Sequence, residues 1–193
     1  MKHHHGRLEV ITGPMFCGKT DELLRRLRRA SIAKQKIQVF KPGFDIRYSN
    51  EKVTSHAGNE YNAHPVDNIT EIHIHLLDDV TVVAIDEAQF FGEEIIQVVQ
   101  DLVDKGIRVI VGGLDMDFRG VPFGQMPELL SLAEKVDKLH AICMVCGEEA
   151  TRTQRLVDNK PAYYDDPIII VGASEMYEAR CRIHHRVPKR KNE

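Results

Sequence analysis

The chain of 193 residues contains no tryptophan, and aromatic residues make up only 6% of it. No apolar run approaches the ~20 residues of a bilayer-spanning helix, and no hydrophobic export segment opens the sequence. These absences argue against a helical membrane protein and leave the cytoplasm as the expected location. Excess charge of one sign is missing too. The 26 Lys and Arg residues face 29 Asp and Glu, a formal net charge of −3, which argues against a protein devoted to a nucleic-acid backbone. No aromatic and basic residues interleave in a strip of the kind that grips single strands. Cysteine is scarce, with four in the chain, and in a cytoplasmic setting metal outranks disulfide as their use. Internal repeats and low-complexity tracts are absent. A composition of 42% hydrophobic and 28% charged residues is that of a globular protein with one core plus a small appendage.

What is present begins with an octet. Gly13, Pro14, Met15, Phe16, Cys17, Gly18, Lys19 and Thr20 follow the pattern G-x-x-x-x-G-K-S/T. In this pattern glycines let backbone N–H groups wrap a phosphate chain while the next helix turns its positive end towards it. Lys19 is expected to reach the β- and γ-phosphates, and Thr20 to hold Mg²⁺. The flanks agree, since Leu8, Val10 and Ile11 read as an entering strand, and Leu23, Leu24, Leu27 and Ala30 as one helical face.

Strands are expected at 8–12, 37–40, 81–85, 107–112 and 138–142, and helices at 20–33, 69–77 and 93–105. This alternation implies an α/β fold, a parallel-sheet phosphate-loop core covered by helices. The expected domains are a nucleotide-binding core over 6–142 and a small zinc-binding domain over 143–187, with a tail over 188–193. Met1 to His5 read as a possible tag. The stretch 42–65 lacks periodicity and reads as a long loop. Arg25, Arg26, Arg28 and Arg29 point away from Leu23 and Leu27 and are expected on a solvated helix surface. Residues 186–191 read as a frayed basic end.

Two further patterns carry chemistry. The apolar run Val82, Val83, Ala84, Ile85 ends in Asp86 and Glu87. Asp86 is expected to hold Mg²⁺ directly or through water, and Glu87 to deprotonate an incoming nucleophile, either water or a substrate hydroxyl. Cys143 and Cys146 form one two-residue-gap hook, and Cys181 and His184 another. That set suits a tetrahedral structural zinc. His185 is an alternative ligand, with the gap favouring His184. The 34 residues between the hooks then form a long excursion pinned at its base.

The phosphate loop with Gly13-Pro14-Met15-Phe16, the segment Asp86-Glu87-Ala88-Gln89-Phe90-Phe91, the segment Gly113-Leu114-Asp115-Met116-Asp117-Phe118 and the two hooks together resemble the type II (cytosolic-type) thymidine kinases. The resemblance covers residues 8–185. It implies ATP-dependent phosphorylation of the thymidine 5′-hydroxyl, with Glu87 as general base. It places Asp45, Arg47 and Gln89 near the nucleotide. It makes the zinc-held excursion a lasso over the base that includes Ile168, Ile169, Ile170, Val171 and Gly172, with Tyr177 beside the sugar or base. Met15, Leu114, Phe118 and Thr153 match positions around the thymine. A homotetramer and feedback inhibition by dTTP are implied as well. The same apolar run at 168–171 also suits a core strand, and Phe118 also suits inward packing. Cys17 departs from the usual serine, and Gln154 stands where relatives often carry a basic residue. The rival reading is a zinc-ribbon phosphate-loop NTPase that hydrolyses ATP while holding nucleic acid; the charge balance counts against it.

Overall fold

The computed structural model describes residues 5–43, 52–54, 60–168 and 176–190. Strand β1 (Arg7–Thr12) enters the phosphate loop and α1 (Lys19–Ile32) leaves it. Next come β2 (Ile37–Pro42), β3 (Lys52–Thr54), β4 (Glu60–Asn62) and β5 (His64–Val66). A 3₁₀ turn (Ile69–Glu71) runs into the short α2 (Ile72–His75), followed by β6 (Val82–Ile85), a second 3₁₀ turn (Ala88–Phe90) and α3 (Glu94–Asp104). The core ends with β7 (Arg108–Gly113), α4 (Met126–Leu132) and β8 (Lys135–Lys138). Then follow β9 (Ala141–Ile142), β10 (Glu149–Ala150), β11 (Arg152–Val157), β12 (Lys160–Pro161) and β13 (Met176–Arg180).

Six of these strands form one parallel sheet in the order β5-β2-β6-β7-β1-β8. Its strands alternate between two apolar layers, because successive side chains point to opposite faces. Leu8, Val10, Val83, Ile85, Val109 and Val111 meet α3 and α4 through Ile95, Val99, Leu102, Met126 and Leu129. Ile11, Val82, Ala84 and Ile110 meet α1 through Leu23, Leu24, Leu27 and Ala30. A helix of 14 residues is marginal in isolation. Burying three leucines at about 2 kcal/mol each outweighs that deficit and fixes α1 on the sheet. Parallel pairing brings the ends of β1 and β6 to the same sheet edge with β7 between them, so the phosphate loop and Asp86 emerge about 10 Å apart.

The structure departs from the sequence expectation at the far edge. The run expected as one strand over 138–142 is divided. Lys135–Lys138 pairs with β1, whereas Ala141–Ile142 pairs antiparallel with Glu149–Ala150. An edge strand is polar along its open side, so β8 lacks the apolar signature used to find strands. The stretch read as a loop over 42–65 holds the β3–β4 hairpin and β5, with Val53 and Ala63 buried against the α1 layer. Asp45 and Arg47, along with Ile169, Ile170, Val171 and Gly172, lie outside the described residues.

A second correction concerns the arginines of α1. Arg25, Arg28 and Arg29 are exposed, but Arg26 is 3% exposed. Its guanidinium meets Glu9 Oε2 at 2.8 Å, Glu22 Oε1 at 2.8 Å and the Asp137 carboxylate. Glu9 points from β1 to the α1 side, and Arg108 grips it bidentately at 2.7 and 2.9 Å. Helical periodicity alone shows only Glu22, one turn back on α1; the other two acids come from β1 and β8. Burial alone would raise the Glu9 carboxyl. Hydrogen bonds from Arg108 and Arg7 and the charges of Arg108 and Arg26 overcome it and bring the group to about 2.

Since that folded value lies below the ordinary 4.5, the stabilisation is present above pH 4.5 and is lost as pH falls through about 2. The shift corresponds to about 3 kcal/mol. Glu9→Gln is therefore expected to flatten the acid limb of stability in denaturant titrations between pH 6 and 3. An unchanged slope in that variant would contradict the role given to the cluster.

Candidate functional site

The phosphate loop owes its shape to glycines where no other residue fits. Gly13 has φ 140°, and a Cβ there would lie 2.3 Å from the Leu139 carbonyl oxygen. Gly18 caps α1 at φ 84°, ψ 22°, with no side chain satisfying the first N–H groups of the helix. Those N–H groups and the positive helix end form an anion site. Lys19 Nζ donates to the Pro14 carbonyl at 2.7 Å, which folds the cation over the loop. Pro14 is buried, Phe16 is exposed with φ 66°, and Thr20 is partly exposed on the first turn of α1.

Cys17 sits half-buried between this loop and the small unit. It packs against the cluster of Ala141, Cys143, Ala150 and Ala179. Burial pushes its thiol above the ordinary value, with Lys19 acting in the opposite direction. The thiol is thus held in its neutral, less reactive form.

The acids stand at the end of β6. Asp86 receives the Glu87 N–H on Oδ1 at 3.0 Å. Glu87 adopts φ 51°, ψ 40°, a left-handed conformation that costs a non-glycine residue about 1–2 kcal/mol. Such strain is characteristic of sites where geometry serves chemistry. Gln89, 3% exposed, donates from Nε2 to Glu87 Oε2 at 2.5 Å and accepts the Leu114 N–H on Oε1 at 3.0 Å. It therefore couples the acid to the segment after β7. Gly113 and Gly124 make room for it, since a Cβ would lie 2.8 Å from Gln89 Oε1 and 2.4 Å from its carbonyl oxygen respectively.

A hydrogen bond from Met15 N–H to Thr153 Oγ1 at 3.0 Å joins the loop to the small unit. Thr153 lies on β11, which pairs antiparallel with β13 so that Arg155 faces Tyr177. Phe118 is buried, with the Arg155 guanidinium 5.2 Å from its ring centre. Ile168 is 36% exposed, and Arg155 Nη1 donates to the neighbouring Pro167 carbonyl at 2.5 Å. Sequence reading missed Arg155. It is the largest fully buried side chain among the described residues, and nothing in its immediate sequence marks it as buried. Gln154 now has a place, because it accepts Arg186 N–H at 2.8 Å and donates to the Arg186 carbonyl at 2.9 Å.

The hooks converge. Ligand atoms of Cys143, Cys146, Cys181 and His184 all lie within 4.8 Å of one another. Cys146 Sγ is 3.9 Å from Cys181 Sγ, and His184 Nδ1 is 3.2 and 3.8 Å from the Cys181 and Cys143 sulfurs. Tetrahedral zinc sets about 3.8 Å between sulfurs and about 3.5 Å between sulfur and nitrogen, so the donor set fits. His185 turns away and donates from Nε2 to the Phe118 carbonyl at 2.8 Å. Burial would raise the Cys143 thiol, but hydrogen bonds from the main chain of Cys181, Val145 and Cys146 bring it to about 6. A low thiol value favours the thiolate that binds metal.

A family model described as thymidine kinase matches residues 6–185. Among solved structures, domain III of the replication initiation protein DnaA from Thermotoga maritima is similar at a TM-score of 0.44 and 14% identity, over 72% of this chain and 56% of that one. The chain thus spans little more than half of that structure, and a likeness at this level carries no argument about the site.

The cysteine–histidine cluster is expected to take up one Co²⁺ per chain in place of Zn²⁺. Visible absorption should then show the intense bands of a tetrahedral, thiolate-bound ion. Bands of a six-coordinate ion, or the same spectrum after Cys146→Ser and Cys181→Ser together, would contradict the assignment.

Proposed function

The chain belongs to the thymidine kinase family, whose model spans residues 6–185, and from that premise we propose that it transfers the γ-phosphoryl group of ATP to the 5′-hydroxyl of thymidine. The observation that carries this reading is the buried Gln89, which joins the Glu87 carboxylate to the main chain at Leu114. The link fixes the acid relative to the segment that carries Leu114 and Phe118, where the family pattern implies the nucleoside. An acid serving an organic hydroxyl has to be aligned with the pocket that holds it.

In this proposal the backbone of Gly13 to Gly18 and the α1 N-terminus cradle the phosphates, and Lys19 neutralises charge at the transferred group. Thr20 and Asp86 would hold Mg²⁺, which supplies charge neutralisation between the phosphates when bound. Glu87 takes the proton from the 5′-hydroxyl as that oxygen attacks phosphorus, and ADP leaves with the bridging oxygen. Met15, Leu114, Phe118, Thr153, Ile168 and Tyr177 surround the nucleoside. Asp45, Arg47, Ile169, Ile170, Val171 and Gly172 keep the nucleotide and base roles implied by the family pattern. A zinc ion held by Cys143, Cys146, Cys181 and His184 is structural, since four protein ligands leave no open position. A core over 6–142 and a zinc domain over 143–187, a homotetramer, a cytoplasmic location and inhibition by dTTP complete the reading. Among the described residues no helix is long and apolar enough to cross a membrane.

Glu87→Gln is expected to keep ATP binding while lowering kcat by about 10²- to 10⁴-fold, the range for a lost general base. Turnover within threefold of the parent would remove Glu87 from that role.

A further inference from the structure

Residues 185–190, read from sequence as a loose basic end, are bound along their length to the nucleoside side of the proposed site. His185 Nε2 holds the Phe118 carbonyl at 2.8 Å. Arg186 is clasped through both its N–H and its carbonyl by Gln154, which is 1% exposed and adjoins Thr153. The Pro188 carbonyl accepts the Tyr164 N–H at 2.8 Å. Beyond it, Lys189 Nζ lies 5.4 Å from the centre of the Tyr164 ring. The Arg190 guanidinium covers Tyr163 at 4.8 Å and reaches Asp166 Oδ1 at 2.5 Å.

Tyr163 to Asp166 form a turn closed by its own bonds, Asp166 N–H to the Tyr163 carbonyl at 3.1 Å and Tyr163 N–H to Asp166 Oδ2 at 2.9 Å. That turn leads directly to Pro167, whose carbonyl Arg155 holds, and to Ile168. The His185 ring and the Arg186 main chain thus land on Phe118 and beside Thr153, and residues 188–190 land on the turn that leads to Ile168. The His185 N–H and the Arg186 guanidinium also bond back to the Cys181 and Ile183 carbonyls of the hook. None of these contacts reaches the phosphate loop. An ordinary solvated end of the chain would have no reason to distribute its contacts in this way.

We propose that residues 185–190 act as a positioning strap for the acceptor half of the site, in which Lys189 and Arg190 hold the Tyr163-to-Asp166 turn in the conformation that receives the nucleoside. The proposal rests on the thymidine kinase reading. Its energetic basis is preorganisation, since a turn already fixed loses less freedom when ligand binds. An exposed ion pair and exposed cation–π contacts together are worth about a tenfold change in an equilibrium constant. The strap therefore tunes affinity without deciding whether the reaction occurs.

The test compares Arg190→Ala, the double variant Lys189→Ala with Arg190→Ala, and Arg190→Lys in the full chain. Steady-state kinetics would be run in thymidine and in ATP, with amide exchange at Tyr164 measured in parallel. Arg190→Ala is expected to raise KM for thymidine about three- to tenfold, with kcat and KM for ATP changed less than twofold. Arg190→Lys should recover most of the loss, and the Tyr164 amide should exchange faster in both alanine variants. An unchanged KM for thymidine, or an equal rise in both KM values, would overturn the proposal. Should the parent chain fail to phosphorylate thymidine, the functional reading falls on its own. Tyr164 exchange still decides the strap, because equal protection in parent and variants would show that Arg190 does not hold the turn.

Discussion

The Met15 N–H to Thr153 Oγ1 hydrogen bond, at 3.0 Å, is the contact on which the geometry of the site depends. A phosphate loop is built from N–H groups that await an anion, yet here one of them is committed to a hydroxyl from the small unit. The phosphate loop thus takes part of its shape from the small unit. Cys17 reinforces the same seam by packing on Ala141, Cys143, Ala150 and Ala179. A cluster that small cannot support a fold by hydrophobic burial alone. The seam with the phosphate loop adds to it, and a metal held by the cysteine–histidine hooks would add more.

On the other side of the loop, α1 is held by a different force. Its leucines place it on the sheet, and the buried Arg26 locks its register against β1 and β8 through Glu9 and Asp137. Removing one partner from such a set leaves a charge without compensation in a dry environment, which is costly. The anion-binding end of α1 is therefore set by packing along the helix and by ion pairing near its second turn. Gly18, which caps the helix in the left-handed region open to glycine, is left free to serve a ligand.

Much of this was legible in the sequence, because some chemistry needs particular residues at particular spacings. The octet from Gly13 to Thr20, the apolar strand ending in Asp86 and Glu87, and the paired hooks each announce a local geometry that the structure contains. What escaped was non-local. Arg26 looks like one half of an exposed pair with Glu22 on a helical wheel, and only the register of β1 beside β8 shows that Glu9 and Asp137 bury it. Arg155 sits in an ordinary alternating strand, and its burial arises from Phe118 and Pro167, distant in sequence. The edge strand β8 is polar for the reason edge strands usually are. Helix α4 did leave a trace that could have been read, with Pro127 in its first turn and Met126 and Leu129 on one face.

Under the proposed function, the left-handed Glu87, the Gln89 bridge and the seam at Thr153 serve one claim: the acid works on a nucleoside hydroxyl and not on water. The most direct measurement is ADP release by the purified chain with ATP and Mg²⁺, in the presence and absence of thymidine, with the nucleoside product identified. The account predicts ADP and dTMP in equal amounts and little ADP without nucleoside. Equal ADP release in both conditions, with thymidine recovered unchanged, would contradict it.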